Sequence, residues 1–263
     1  MKKETIHFAH ANSFPAKTYI QLFSYLADDF EINYLERHAH NPRFPVTEGW
    51  DYLKEELRQE IERRYTESII GLGHSLGGIL HFLVAVENPQ LYKALVLLDA
   101  PLISRLSGAG LKILRRTNLI EKFPLVRATK YRRTRWYSKE EVFTHFRQKE
   151  KFGSFDEKVL RDYVEHGTVE NEKGVKLFFD PQIEAEIYRT IPHDFSKHRG
   201  KLKVPTVYIG GKRSREARLA RLGFMRRNFP IDFYFIEGSH LFPLEKPETT
   251  AQLIKGALAN LGI

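Results

Sequence analysis

Short apolar runs alternate with amphipathic stretches along the first hundred residues. Thr5–Ala9 reads as a strand. In Tyr19–Asp28, Tyr19, Leu22, Phe23 and Leu26 recur on one helical face. Phe30–Leu35 is a second strand, and Gly49–Arg64 a charge-laced helix with Trp50, Leu53, Leu57 and Ile61 at three- and four-residue spacing. Ser68–Leu72 predicts a strand that runs into Gly73-His74-Ser75-Leu76-Gly77-Gly78. An apolar helix follows from Ile79 to about Glu87 and stops at Asn88-Pro89, before a buried strand at Ala94–Leu98. The alternation then breaks: residues 102 to about 200 carry helical periodicity and no convincing buried strand. It resumes with strands at Thr206–Ile209 and Ile231–Ile236 and a last helix from about Pro247 to Leu261. The pattern predicts an α/β fold, a mostly parallel sheet of about six strands flanked by helices. Residues 1–101 and 200–263 form the core, and 102–199 an inserted helical cap.

A chain of 263 residues with 42% hydrophobic and 29% charged positions can bury one large core. The absence of cysteine removes disulfide scaffolds, Cys-ligated zinc, iron–sulfur centres and cysteine nucleophiles. The first residues enter a strand without the apolar stretch of a signal peptide, and the apolar run Ile79–Val86 is too short to span a bilayer. The expectation is a cytoplasmic protein. Its net charge of +9 is local: Arg105, Lys112, Arg115, Arg116, Lys122, Arg127, Lys130, Arg132, Arg133 and Arg135 face a single acid in that stretch, Glu121, so the remainder is about neutral.

Gly73-His74-Ser75-Leu76-Gly77 is a G-x-S-x-G between a strand and a helix. Such a tight turn exposes the serine at the sheet edge, and Gly73 and Gly77 remove side chains that would collide there. Neither GxxxxGK[ST] nor a GxGxxG with a ribose-binding acid is present, which weakens a phosphate-loop reading. A serine nucleophile needs a base, and Gly238-Ser239-His240 follows the last strand at the same edge. It also needs an oxyanion hole. The N–H of Asn12, in His10-Ala11-Asn12-Ser13-Phe14, and that of Leu76 are the candidates. His38 and His40 lack a third ligand nearby and read as exposed loop residues, while His74 and His81 shape the pocket or pack.

These pieces, with Leu97-Leu98-Asp99-Ala100-Pro101 and Gly238-Ser239-His240-Leu241-Phe242-Pro243-Leu244-Glu245-Lys246-Pro247, make the chain resemble an α/β-hydrolase-fold serine hydrolase, esterase- or lipase-like. The resemblance covers about two-thirds of the chain and implies that it starts at what is usually the third strand. In many relatives the acid that orients the histidine follows the penultimate strand, at about position 214 or 215 here. This sequence has Ser214 and Arg215 instead. Asp99, at a rigid strand end, is the favoured substitute; Glu216 is the alternative acid, and a dyad lacking a firm acid is the third possibility.

The cap supplies apolar residues (Leu102, Ile103, Leu106, Leu111, Ile113, Leu114, Leu119, Ile120, Phe123, Leu125, Val126) and aromatics (Trp136, Tyr137, Phe143, Phe146, Phe152, Phe155), most of which pack the cap itself. They favour a small-molecule ester with an apolar acyl part. The basic segment Arg105–Arg135 reads as a solvated face, as a contact for an anionic membrane surface, or as a means of steering an anionic substrate. No nucleic-acid-binding signature accompanies it. The expected function is a carboxylic ester hydrolase with Ser75 as nucleophile, His240 as base and Asp99 as orienting acid, needing no metal or organic cofactor. The alternatives are a C–C or amide hydrolase using the same residues, or a non-catalytic module docking at anionic surfaces through the cap.

Overall fold

A computed structural model describes residues 3–117 and 119–263; the side chains of Leu106, Ser107 and Leu111 lie outside the described residues. Six strands, β1 (Glu4–Ala9), β2 (Phe30–Tyr34), β3 (Ile69–His74), β4 (Tyr92–Leu98), β8 (Thr206–Gly211) and β9 (Ile231–Ile236), form one sheet in the order β2-β1-β3-β4-β8-β9. Every pairing in it is parallel. This is the α/β architecture that the alternation predicts. The inner strands are apolar almost without interruption because both sheet faces are covered. On β4, Val96 and Leu98 join the core that contains Leu22, Leu26, Ile254 and Leu258. Leu95 and Leu97, one residue out of phase, join the opposite core with Leu53, Leu57, Leu80 and Phe82. Truncating any of these to alanine costs about 2–5 kcal/mol.

The flanking helices include α1 (Ile20–Leu26), α2 (Asp51–Arg64), α3 (Leu76–Glu87) and the C-terminal helix Pro247–Asn260. Helix α3 begins directly after Ser75 rather than at Ile79, so Gly77 and Gly78 are its first turn and not part of a loop.

Between β4 and β8 the chain forms helices at Arg105–Arg116, Pro124–Lys130, Lys139–Arg147, Glu157–Gly167 and Pro181–Arg189. The expectation of a purely helical block is corrected by a small antiparallel sheet in the order β5-β7-β6, made of β5 (Arg135–Trp136), β6 (Thr168–Asn171) and β7 (Gly174–Leu177). Val175 and Leu177 are buried while Lys176 points out, which is a strand pattern. Strands of two to four residues are too short for their period of two to stand out among helices. Trp136, Phe146, Phe152 and Phe155 pack inside the block, whereas Tyr137 is 90% exposed.

Candidate active site

Chain order reverses between β1 and β3, and in an open parallel sheet the crevice beyond the strand ends at such a point is where ligands bind. The loops leaving those two strands meet there: the Gly77 N–H donates to the His10 carbonyl at 3.1 Å. A Cβ on Gly77 would collide with the Ala9 carbonyl, and one on Gly73 with the Gly77 backbone, so this turn closes only with glycine at both places. Ser75 sits at its apex with φ 52° and ψ −111°. That conformation stores about 1–3 kcal/mol. It is held by the Ser75 N–H donating to the Leu98 carbonyl at 2.9 Å and by the first bond of α3, Ile79 N–H to the Ser75 carbonyl, at 3.1 Å.

Asp99 and His240 lie at the same edge. His240 Nδ1 is 2.6 Å from Asp99 Oδ2. Asp99 is fully buried and its φ is 41°, which turns the carboxylate back over the ends of β4 and β8. There it accepts the Gly211 N–H at 3.0 Å, the Tyr208 hydroxyl at 3.3 Å and the Ser214 hydroxyl at 2.5 Å. Glu216 approaches the same ring nitrogen only to 4.0 Å and is partly exposed. The geometry therefore joins His240 to Asp99, with Glu216 as an outer charge. Burial alone would lower the His240 pKa, but the Asp99 hydrogen bond and charge, with Glu216 beyond, leave it raised. Neither Ser75 Oγ nor His240 Nε2 is hydrogen-bonded to a described residue. Such contacts commonly tighten only around substrate.

His74 links the two loops. Its Nε2 lies 2.9 Å from the His240 carbonyl oxygen, an acceptor, so Nε2 carries the hydrogen. Nδ1 then accepts the Tyr19 hydroxyl at 2.7 Å. Burial lowers the His74 pKa to about 3, so this link is neutral. His74 thus does more than shape a pocket: it ties the residue before Ser75 to the backbone of His240.

Both candidate oxyanion amides are available, since no described residue accepts from the N–H of Asn12 or Leu76. The Leu76 amide begins α3, where helix amides lack intrahelical partners. The loop carrying Asn12 is fastened from the far side by Glu184 of the helix Pro181–Arg189, a residue that sequence reasoning missed. Asn12 Nδ2 donates to the Glu184 carbonyl at 3.1 Å, and the hydroxyl of Ser13, itself at φ 78°, donates to its carboxylate. Thr129 and Arg132 complete the set around that carboxylate. Burial nonetheless pushes the Glu184 pKa up, against the pull of Arg132.

Asp99, Glu216 and His240 offer ligand atoms within 4.8 Å of one another, the one metal-compatible cluster among the described residues. The Asp99 oxygens already receive three hydrogen bonds besides His240, which fits an imidazole holder better than a metal ligand. His38, expected to be exposed, is fully buried, with its N–H donating to His10 Nε2 at 2.8 Å. His40 bridges the His38 carbonyl and the Asp180 N–H. Both join loops.

The chain matches the alpha/beta hydrolase family over residues 8–253. No curated protein matches it in sequence. Among solved structures it resembles E-2-(acetamidomethylene)succinate hydrolase, at 17% identity and a TM-score of 0.78, covering 98% of this chain and 92% of that one. It also resembles a thioesterase domain from the curacin biosynthetic pathway, at 16% and 0.76, covering 96% and 91%. The enol-lactonase from Burkholderia xenovorans LB400 aligns at 14% and 0.65, covering 98% and 92%.

Proposed function

The chain belongs to the alpha/beta hydrolase family, and on that premise we propose that it is a serine hydrolase acting on carboxylic esters with an apolar acyl part. Ser75 Oγ attacks the ester carbonyl while His240 Nε2 takes its proton. Asp99 holds the Nδ1 hydrogen, which keeps Nε2 free to act as base and stabilises the imidazolium that forms. The oxygen that becomes negative is received by the Asn12 and Leu76 amides, the second reinforced by the start of α3. His240 returns the proton to the leaving alkoxide, and water releases the acyl group by the same steps in reverse. No metal or organic cofactor is called for.

The observation that carries this reading is the 2.6 Å pairing of His240 Nδ1 with Asp99, beside a serine held at φ 52° on the same sheet edge. The apolar acyl preference rests on the rings beside the oxyanion loop, where Phe14 lies 5.8 Å from Phe152 and 5.4 Å from Tyr163 between centroids. In this reading the block between β4 and β8 is a cap over the site, and the lack of cysteine suits a cytoplasmic enzyme.

A fluorophosphonate probe and p-nitrophenyl esters of increasing acyl length test it together. Labelling and turnover are expected in the wild type and lost in Ser75→Ala. Absence of labelling, with His240→Ala indistinguishable from wild type, rules out the enzyme. A C–C or amide substrate uses the same residues, so labelling without turnover of any ester moves the assignment to those bonds.

A further inference from the structure

The charge excess of Arg105–Arg135 becomes more specific once partners are assigned. Arg115, Lys130, Arg132 and Arg133 are in ion pairs with Glu48, Glu121, Glu184 and Glu141. Arg105, Lys112, Arg116, Lys122, Arg127 and Arg135 are exposed and have no ion pair among the described residues. The same stretch exposes large apolar side chains: Ile113 is 61% exposed, Leu119 43% and Tyr131 74%.

Ile113, Leu119, Lys122, Arg127 and Tyr131 lie on the exposed side of consecutive helical segments and the turn that follows them. In Arg105–Arg116 the inner side is marked by Gly108, where a Cβ would collide with the His193 carbonyl, and by Arg115, which donates to the Ile191 carbonyl at 2.6 Å. At 100° per residue, Ile113 points well away from both. In Pro124–Lys130 the buried Val126 and Thr129 face inward, leaving Arg127, Ala128 and the following Tyr131 outside. An open groove of about 690 Å³ runs there, lined by Glu121, Lys122, Pro124, Arg127, Ala128 and Tyr131. Its one acid is already held by Arg189 at 2.5 Å and Lys130 at 3.2 Å, so Lys122 and Arg127 set the sign of the groove.

We propose that this outer face docks on an anionic phospholipid bilayer. Lys122 and Arg127 take a headgroup phosphate in the groove, while Ile113, Leu119 and Tyr131 enter the interface. Unpaired cations flanking exposed apolar and aromatic side chains are what binding to such a surface requires. A solvated face has no use for the apolar members, and a polyanion site would bind without them. No helix among the described residues is long and apolar enough to cross a membrane, so attachment would be to the surface.

The test is co-sedimentation of the whole protein with vesicles of phosphatidylcholine alone or containing phosphatidylglycerol. Binding is expected only with phosphatidylglycerol and should fall as salt is raised. Lys122→Glu with Arg127→Glu is expected to weaken it about tenfold or more. Ile113→Asp with Tyr131→Ser should weaken it to a similar degree. Both pairs should keep the wild-type melting temperature and ester turnover. Ser75→Ala should bind vesicles normally, so this proposal fails or survives independently of the hydrolase reading. Three outcomes overturn it: equal binding to neutral vesicles, no binding to either, or binding that the Ile113/Tyr131 pair leaves unchanged. The last, with duplex DNA bound equally well, would make the face a polyanion patch.

Discussion

Ser214 donates its hydroxyl to Asp99 Oδ2 at 2.5 Å, and that same oxygen holds His240 Nδ1 at 2.6 Å. The residue standing where many relatives carry the acid has become the holder of an acid on the preceding strand. A carboxylate at 214 would be one bond longer than the hydroxyl and would extend toward the imidazole. Asp99→Asn is expected to lower kcat by about 10²-fold or more. Ser214→Asp added to it should recover about tenfold of that loss. Rates of ester hydrolysis for the two single variants and the double variant measure this. A double variant no faster than Asp99→Asn would show that position 214 cannot orient the ring.

The proton on His240 sets the pH dependence. As the proposed base it must be neutral to act, and Asp99 with Glu216 raises its pKa above the ordinary value of about 6.5. The kcat/KM profile should therefore rise with pH to a midpoint above about 6.5. Glu216→Gln removes the outer charge alone and should move that midpoint down while changing the plateau little. A midpoint unmoved by Glu216→Gln would remove Glu216 from the electrostatics of the site.

Glu184 ties the proposed oxyanion loop to the inserted block through Ser13 and Asn12. Ser13→Ala breaks one strand of that tie without leaving Arg132 facing an empty site. A hydrogen bond to a buried carboxylate contributes about 1.5–3 kcal/mol. About 1 kcal/mol of it, the share that holds the Asn12 amide in place, is lost in the transition state. Ser13→Ala should lower kcat about three- to tenfold with little change in KM. It should also weaken a trifluoromethyl ketone inhibitor in parallel. A change in KM alone would make Ser13 a substrate-binding group.

The six strands and the placement of Ser75 and His240 at one sheet edge were legible because each has a local signature: apolar strand runs, a glycine-bracketed serine, and a histidine just past a strand. The choice between Asp99 and Glu216 had no such signature. It depends on the turn Lys212–Ser214, where the Lys212 N–H donates to the Ile236 carbonyl and the Arg213 N–H to the Gly238 carbonyl. With that turn in place, Ser214 faces Asp99 and Glu216 stands farther out. Glu184 lies 171 residues from Ser13, and no spacing rule connects them. The small β5-β7-β6 sheet escaped because its strands, two to four residues long, hold too few alternations to stand out from the helical pattern around them.

Buried neutral histidines make the fold acid-sensitive. His7, His10, His74 and His81 are fully buried, and burial is the first cause of the lowered pKa in each. Lowered in the folded state, each takes up its proton only on unfolding, so stability falls as pH drops below the unfolded value of about 6.5. At pH 5.5 each costs on the order of 1 kcal/mol, so the four together remove a sizeable part of a typical total of about 5–15 kcal/mol. His240, with its raised pKa, works in the opposite direction but is a single group. Urea unfolding at pH 7.5 and 5.5 should show this loss. The cleanest check is His7, whose ring nitrogens both lack a hydrogen-bond partner among the described residues. His7→Phe should reduce the slope of unfolding free energy against pH by about one proton. An unchanged slope would mean that His7 is already protonated in the fold, or never takes up a proton on unfolding.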